Sequence, residues 1–373
     1  MKPELTSIRC EIDFPMLATL TPSERLRHVF VDPVAVHVAR RVEDGAAVLD
    51  AVSQASTRGH WCVGFVAHEA ASAFDRALAV QASVGQPLAW FAEFDAAETS
   101  RERESTRNSY QLGEWHSDID HIAFREKVES IRSDIREGRF YQVNLTTRLA
   151  AEFSGDAFAF YRALQSAQPN GYHAYIDTGV AQLLSVSPEL FFTLHDGKVT
   201  TQPMKGTAPR GDTPEADERI AWELTHSDKE RAENLMIVDL LRNDLSRIAQ
   251  PNSVDVTALF ALQPLPSVWQ MTSTIDATLR QGLGLADVFR ALFPCGSVTG
   301  APKVEAMHAI RDLETAPRGA YCGAIGYVAP AVDGHIRACF NVGIRSVWIE
   351  NGRALCGVGG GITWDSTVEG EWA

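Results

Sequence analysis

Three short segments hold residue choices that a hydrophobic core does not call for. In Ser185-Val-Ser-Pro-Glu189-Leu-Phe-Phe a carboxyl group stands between a proline and an apolar run. Loss of water around it disfavours the charged form, raises its pKa and suits Glu189 to act as an acid. A surface glutamate at a strand entry is the competing reading. In Gln202-Pro-Met-Lys205-Gly-Thr-Ala-Pro-Arg-Gly211 two prolines and two glycines hold the chain around Lys205. A lysine fixed beside apolar residues can release its proton at modest cost and become a nucleophile, and the glycines let backbone N–H groups approach a ligand. A solvated loop lysine is the plainer alternative. In Phe293-Pro-Cys-Gly-Ser297-Val-Thr-Gly-Ala-Pro302-Lys-Val-Glu a Gly/Ser/Thr loop runs into a helix with Pro302 in its first turn. Free N–H groups there attract an anion or only receive a cap; the spacing is not that of a P-loop, so nucleotide phosphate is not implied.

Further residues join these. Glu230 and Glu233 lie at i and i+3 near a helix start and could share a divalent cation, although most such pairs are solvated or serve a cap. Val358-Gly-Gly-Gly361-Ile follows a strand and reads as a flexible turn or as a place where a ligand meets bare backbone, with Glu369 and Glu371 shortly after. Arg345, in Asn-Val-Gly-Ile-Arg345-Ser, is a charge on an otherwise apolar strand and calls for an anionic partner.

The elements that must position these groups can be read from periodicity and end signals. Asp120 caps a helix over Ile122–Glu137, with Ile122, Val128, Ile131 and Ile135 near one face and Gly138 as its stop. A strand at Tyr141–Leu149 puts Gln142, Asn144 and Thr146 on one face. Strands follow at Tyr172–Asp177, Leu183–Ser187, Phe191–His195 and Lys198–Gln202, the last two joined by an Asp196-Gly197 hairpin turn. Helices are expected at Pro214–Thr225 and at Asp228–Arg247, the second opened by the capping box Ser227-Asp-Lys-Glu230. The C-terminal stretch reads as strands Tyr321–Val328, Arg337–Ile349 and Ala354–Val358, with Asn351-Gly352 turning between the last two. Nearer the N-terminus, His60–His68 reads as a strand followed by a small-residue helix. Hairpin-joined strands separated by helices give an α+β class, with antiparallel sheets covered by helices.

The chain has 373 residues, a net charge of −14, 45% apolar residues and 22% charged ones, which excludes a disordered chain. No apolar run approaches the roughly 18 residues of a membrane span, and the first residues lack a secretory pattern. The acidic balance argues against non-specific nucleic-acid binding. Six scattered cysteines without a CxxC pair argue against structural zinc and fit a reducing cytoplasm. The charge-dense Glu98–Asn108 segment reads as a connecting loop, dividing a smaller N-terminal region, 1–115, packed on the core, from a catalytic region, 116–373.

Taken in order and spacing, these segments resemble the chorismate-utilising enzymes, a family that includes anthranilate synthase, aminodeoxychorismate synthase component I and the isochorismate and salicylate synthases. The resemblance runs from about Asp120 to the end and, more weakly, through Gly64-Phe-Val-Ala-His-Glu69. It implies the family's αββα sandwich. Within the family, Lys205 in PMKGTAPRG resembles the aminodeoxychorismate synthase branch, whereas anthranilate synthases typically carry alanine there. Gln142, in Tyr-Gln142-Val-Asn-Leu-Thr, stands where isochorismate-type enzymes place a water-activating lysine, and so argues against that branch.

The resemblance implies a mechanism. Glu189 protonates the departing C4 hydroxyl of chorismate, Lys205 attacks ring carbon C2, and ammonia then adds at C4 and expels the lysine. Mg²⁺ held by Glu233, Glu230 and Glu371 would bind the ring carboxylate. Gly206, Thr207, Tyr321, Arg345, Gln142 and the turn Gly359, Gly360, Gly361 would hold the substrate. Ammonia would come from a glutamine amidotransferase subunit, and the product would serve p-aminobenzoate and folate synthesis. Anthranilate synthase component I is the rival reading, and a weakly active chorismate-binding half of a fused synthase-lyase is another. Two departures stand out. Gln270, in Val-Trp-Gln270-Met-Thr-Ser, replaces a histidine common in the family, and the sequence stops at Glu371-Trp372-Ala373, before a further glutamate and a lysine that the family supplies.

Overall fold

The computed structural model describes residues 8–16, 24–83, 85–99 and 109–372. Two antiparallel sheets stack face to face. Across the first, the strands run in the order Gly300–Ala301, Gln142–Gly155, Arg353–Ile362, Ser346–Glu350, Gln182–Ser187, Tyr172–Asp177, Arg9–Pro15, Arg25–Val31 and Glu98–Thr99. Across the second they run Met204–Pro209, Val268–Thr278, Lys198–Gln202, Leu190–His195, His335–Val342, Ala324–Val332, Trp61–Val66, Ala89–Phe94 and Ala35–Ala39.

Alternation explains the layering. In Trp61–Val66, Val63 and Phe65 face the other sheet, where they join Phe14, Ile176, Leu183 and Tyr327 in a core between the sheets. Cys62 and Val66 point the other way, into a larger core shared with the helices Gly45–Thr57, Asp228–Ser246 and Leu285–Leu292. On the outer face of the first sheet, helix Ala157–Ala167 buries Phe160 and Tyr161 against Tyr175, Leu184 and Val347. Helix, sheet, sheet, helix is the sandwich that the resemblance implies, and it fits the α+β class read from the patterning. Among the described residues no helix is long and apolar enough to cross a membrane.

The N-terminal strands are not an outer layer. Arg9–Pro15 pairs with Tyr172–Asp177, and Trp61–Val66 pairs with Ala324–Val332, so residues from both parts of the chain share both sheets. Glu98–Thr99, expected in a connecting loop, pairs with His28–Val29; residues 100–108 of that segment lie outside the described residues.

Local signals placed several elements correctly. Asp120 accepts from the N–H of Ala123 at 2.8 Å and opens helix His121–Arg136. Asp196 and Gly197 both have positive φ, 50° and 72°, as a two-residue hairpin turn demands. Other expectations fail for physical reasons. Ile122 is 68% exposed and leaves the buried face to Phe124, Val128 and Ile131. The capping box is half made: Ser227 Oγ accepts from the N–H of Glu230 at 3.3 Å, but the Glu230 carboxylate turns towards Gly206.

The expected single strand Arg337–Ile349 is two, His335–Val342 in the second sheet and Ser346–Glu350 in the first. The chain changes sheet at Gly343, which packs where a Cβ would strike the carbonyl of Ala320, and at Arg345, whose φ is 49°. The strand expected from Tyr321 begins at Ala324, because Cys322 takes a φ of 58°. Gly359–Gly361 is not a turn. It lies inside strand Arg353–Ile362, paired with Thr146, Leu145 and Asn144.

Candidate active site

Glu189 precedes strand Leu190–His195 where that strand's register shifts. Its N–H donates to Ser187 Oγ at 3.2 Å and its carbonyl accepts from the N–H of Val342 at 3.0 Å, so the backbone is pinned on both sides. The side chain is 4% exposed, and Oε1 has no hydrogen-bond partner among the described residues. Burial pushes the carboxyl up to about 7, against the smaller opposing pull of the Ser297 hydroxyl, Lys205 and the Met204 N–H.

Lys205 lies in strand Met204–Pro209, where a register shift and the left-handed Gly206, φ 94°, bend the chain. Its carbonyl accepts from Asn234 Nδ2 at 3.2 Å, and Asn234 Oδ1 in turn accepts from Ser273 Oγ at 2.6 Å. Its charge favours the ionised forms of both Glu189 and Glu233. It also lies against Gly361: a Cβ on that glycine would sit 3.1 Å from Nζ.

Gln142 meets the same point. Its amide nitrogen crowds the position of a Gly361 Cβ, the residue is fully buried, and neither amide atom finds a partner among the described residues. Unpaired amide atoms at this depth are costly unless something polar meets them. Amine, amide, acid and bare backbone thus converge from four strands or their ends.

Three carboxylates stand close by. Glu230 Oε2 would be 3.2 Å from a Cβ on Gly206, and Glu371 Oε2 would be 3.3 Å from one on Gly360, its Oε1 accepting from Ser366 Oγ at 2.7 Å. Glu233 lies between them in charge: burial raises its pKa, Glu230 and Glu371 raise it further, and Lys205 and Lys229 oppose. Among the described residues no three acidic, imidazole or thiol groups meet at metal-ligand spacing. The donor set is nevertheless hard oxygen, and Mg²⁺ needs only one or two protein carboxylates beside substrate and water. The residues present fit that ion.

Other expected ligands stand apart. Thr207 is exposed, and its hydroxyl donates to Gln270 Oε1 at 3.0 Å, while Gln270 Nε2 donates to the carbonyl of Gly206 at 2.9 Å. Gln270 therefore braces the Lys205 turn. Tyr321 lies farther along the glycine-bearing strand, with its ring against Gly357 and its phenol pushed well up by burial. Arg345 finds a neutral partner, Gln168 Oε1, instead of the anion its place in an apolar run called for, because it lies at the exposed crossing between sheets. Neither Tyr321 nor Arg345 makes a hydrogen bond or ion pair to Lys205, Glu189 or Gln142.

The loop read as either an anion site or a plain helix cap also joins the first sheet. Gly300–Ala301 pairs with Val143 and Gln142, and Lys303 is bound to Asp244 at 2.8 Å. Its contribution to the site is Ser297, beside Glu189, which the sequence reading did not single out. It also missed Asn234, although the signal was there: a polar residue on the buried stripe of Ile237, Val238 and Leu241.

The model of the chorismate binding enzyme family matches residues 21–373. Aminodeoxychorismate synthase component 1 of Salmonella typhimurium is 41% identical over 272 residues, 73% of this chain and 59% of that protein. Anthranilate synthase component 1 of Methanothermobacter thermautotrophicus is 39% identical over 245 residues, 66% of this chain and 52% of that protein. The chain thus spans a little over half the length of these curated relatives. Among solved structures, anthranilate synthase component I from Streptococcus pneumoniae superposes with a TM-score of 0.77 at 26% identity, covering 99% of this chain and 88% of that one. A menaquinone-specific isochorismate synthase from Escherichia coli shares the fold, with a TM-score of 0.76 at 18% identity over 99% of this chain and 86% of its own. With the family model matched along most of its length, the chain belongs to the chorismate binding enzymes.

Proposed function

We propose that the protein aminates chorismate at C4, giving 4-amino-4-deoxychorismate for p-aminobenzoate and folate synthesis. The observation that carries the reading is the Lys205 amine, set against Gly361 and Gln142 with Glu189 beside it. A carboxyl whose pKa lies near 7 can hold a proton at working pH and give it up to a leaving hydroxyl.

In the proposed sequence Glu189 transfers its proton to the C4 hydroxyl, water leaves, and the Lys205 nitrogen bonds to C2. The surplus proton on that nitrogen passes back to the Glu189 carboxylate. Ammonia then bonds to C4, Glu189 gives its proton to the Lys205 nitrogen as the C2–nitrogen bond breaks and the electron pair returns to Lys205 as a neutral amine, and the surplus proton on the new C4 nitrogen restores the Glu189 acid. Two allylic displacements return the new group to the carbon that lost the old one. Gln142 offers a donor and an acceptor to the ring substituents, and the glycine backbone admits the ring close to the amine. Mg²⁺, held by Glu233 with Glu230 and Glu371, would offset the charge of the ring carboxylate. Gly206, Thr207, Tyr321, Arg345 and Gly359–Gly361 complete the proposed substrate contacts, and all the chemistry is placed in residues 116–373.

The related proteins named component 1 support a partner subunit, which we take to be a glutamine amidotransferase that supplies ammonia. The six cysteines are all free, which supports a reducing cytoplasm. Incubation with chorismate, Mg²⁺ and ammonium tests the proposal: 4-amino-4-deoxychorismate is expected, and accumulation of anthranilate with pyruvate overturns it in favour of anthranilate synthase.

A further inference from the structure

Behind the site lies a buried set of charges that the proposed chemistry does not use. Glu314, which ends helix Lys303–Leu313, pairs with Arg318 at 2.7 Å, their side chains 4% and 2% exposed. All three guanidinium nitrogens are engaged. Nε and Nη2 donate to the Glu314 carboxylate at 2.9 and 2.7 Å, Nη1 donates to the carbonyl of Val298 at 2.7 Å, and Nη2 also donates to the carbonyl of Asn144 at 2.7 Å. Glu314 Oε1 further accepts from the N–H and hydroxyl of Thr146, at 2.9 and 2.8 Å. From the second sheet's side, Glu69 accepts from the backbone N–H groups of Arg318 at 2.6 Å and Gly319 at 2.9 Å.

The two carbonyls belong to segments that carry functional groups. Val298 ends the single turn Gly296–Val298, whose Ser297 hydroxyl lies 3.2 Å from the Cys295 thiol and near enough to Glu189 to lower its pKa. Asn144 follows Gln142 by two residues on the same strand and the same face. One planar fork therefore ties the turn beside the acid to the strand that brings the amide. A lysine in its place is a single point charge that cannot serve two carbonyls and a carboxylate together.

We propose that Arg318 is a positioning residue for the acid: oriented by Glu314 and Glu69, its guanidinium holds the turn that keeps the Ser297 hydroxyl against the Glu189 carboxyl. The proposal deepens the reading of Glu189 as the proton donor, and its bearing on turnover rests on that reading. The other groups facing Glu189 are Lys205 and the Met204 N–H, on a strand that Arg318 does not bond, and the Cys295 thiol, which lies 3.2 Å from Ser297 Oγ. The Ser297 hydroxyl favours the charged carboxylate, so its withdrawal moves the acid towards the neutral form.

The test compares the parent with Ser297→Ala, Arg318→Lys and the double variant. The Glu189 midpoint is read by carboxyl-labelled NMR, with Glu189→Gln to assign the resonance. Each single variant is expected to raise the midpoint by about half to one pH unit, the worth of roughly one hydrogen bond, and the double variant is expected to add nothing to Ser297→Ala alone. A folded Arg318→Lys protein with the parent's midpoint overturns the proposal, and so do shifts that add in full, since a merely structural arginine would not act through Ser297. If Arg318→Lys does not fold, Glu314→Gln, which keeps the shape and loosens the fork, takes its place under the same two criteria. The midpoint requires no turnover, so failure to aminate chorismate would count against the functional reading alone.

Discussion

Burying a carboxyl with one oxygen unpartnered penalises its charged form, and at Glu189 that penalty has a measurable sign. The folded-state pKa, about 7, lies above the ordinary 4.5, so between these values the folded protein binds the proton that the unfolded chain has released. Stability from this group is therefore intact below about pH 4.5, falls as pH rises, and is lost above about pH 7. Glu189→Gln removes the dependence: urea unfolding should find the variant more stable than the parent by about 1–3 kcal/mol at pH 8 and equal to it near pH 4. The same variant should bind chorismate normally and lose about 10²–10⁴-fold in turnover, read by ligand titration and product assay. Normal turnover would remove Glu189 from the mechanism. Lys205→Ala should abolish any chorismate-derived mass on the peptide containing residue 205, which mass spectrometry of the quenched reaction reads directly. At this scale the sequence was informative where a group's oddity was local: a glutamate after proline and a lysine in a run of prolines and glycines announce themselves. Ser297 and Arg318 do not, because the link of Ser297 to Glu189 and of Arg318 to the Asn144 carbonyl each spans more than a hundred positions.

The strand Arg353–Ile362 shows why elements were harder to read than residues. Three consecutive glycines carry no strand propensity, and no side-chain alternation remains to be counted. Pairing with Gln142–Gly155 nevertheless continues through them, because their lack of Cβ atoms is what admits Gln142, Lys205 and Glu371. Two substitutions separate these roles. Gly361→Ala puts its methyl among side-chain termini that can move, so the melting temperature should change little while turnover falls more than tenfold. Gly359→Ala drives its methyl into the Leu145 carbonyl and should destabilise the fold by about 1–3 kcal/mol, seen as a lowered melting temperature. The opposite pattern would assign the site to the wrong glycine. The Arg337–Ile349 error has a related cause: both sheets bury their strands on two faces, so an unbroken apolar run does not reveal where the chain leaves one sheet for the other.

Across the whole molecule, the α+β class and the helical faces were legible because hairpin turns, caps and alternation are local. Strand order was not, since it depends on contacts between distant segments: nothing near Cys10 or Cys62 indicates that these residues pair opposite Ile176 and Val328. Those pairings predict that residues 116–373 expressed alone will aggregate, because removing the N-terminal strands uncovers Tyr172–Asp177 and Ala324–Val332 as long apolar edges. A monodisperse, folded species in size-exclusion chromatography would contradict this. The glycine-lined strand carries one more implication. A wall of naked main chain has no side chain to exchange, so natural variation cannot reshape it without crowding Gln142 and Lys205. Any divergence towards a different nucleophile must be written on the opposing surfaces, where positions 142 and 205 stand, and engineered changes of reaction are best sought there.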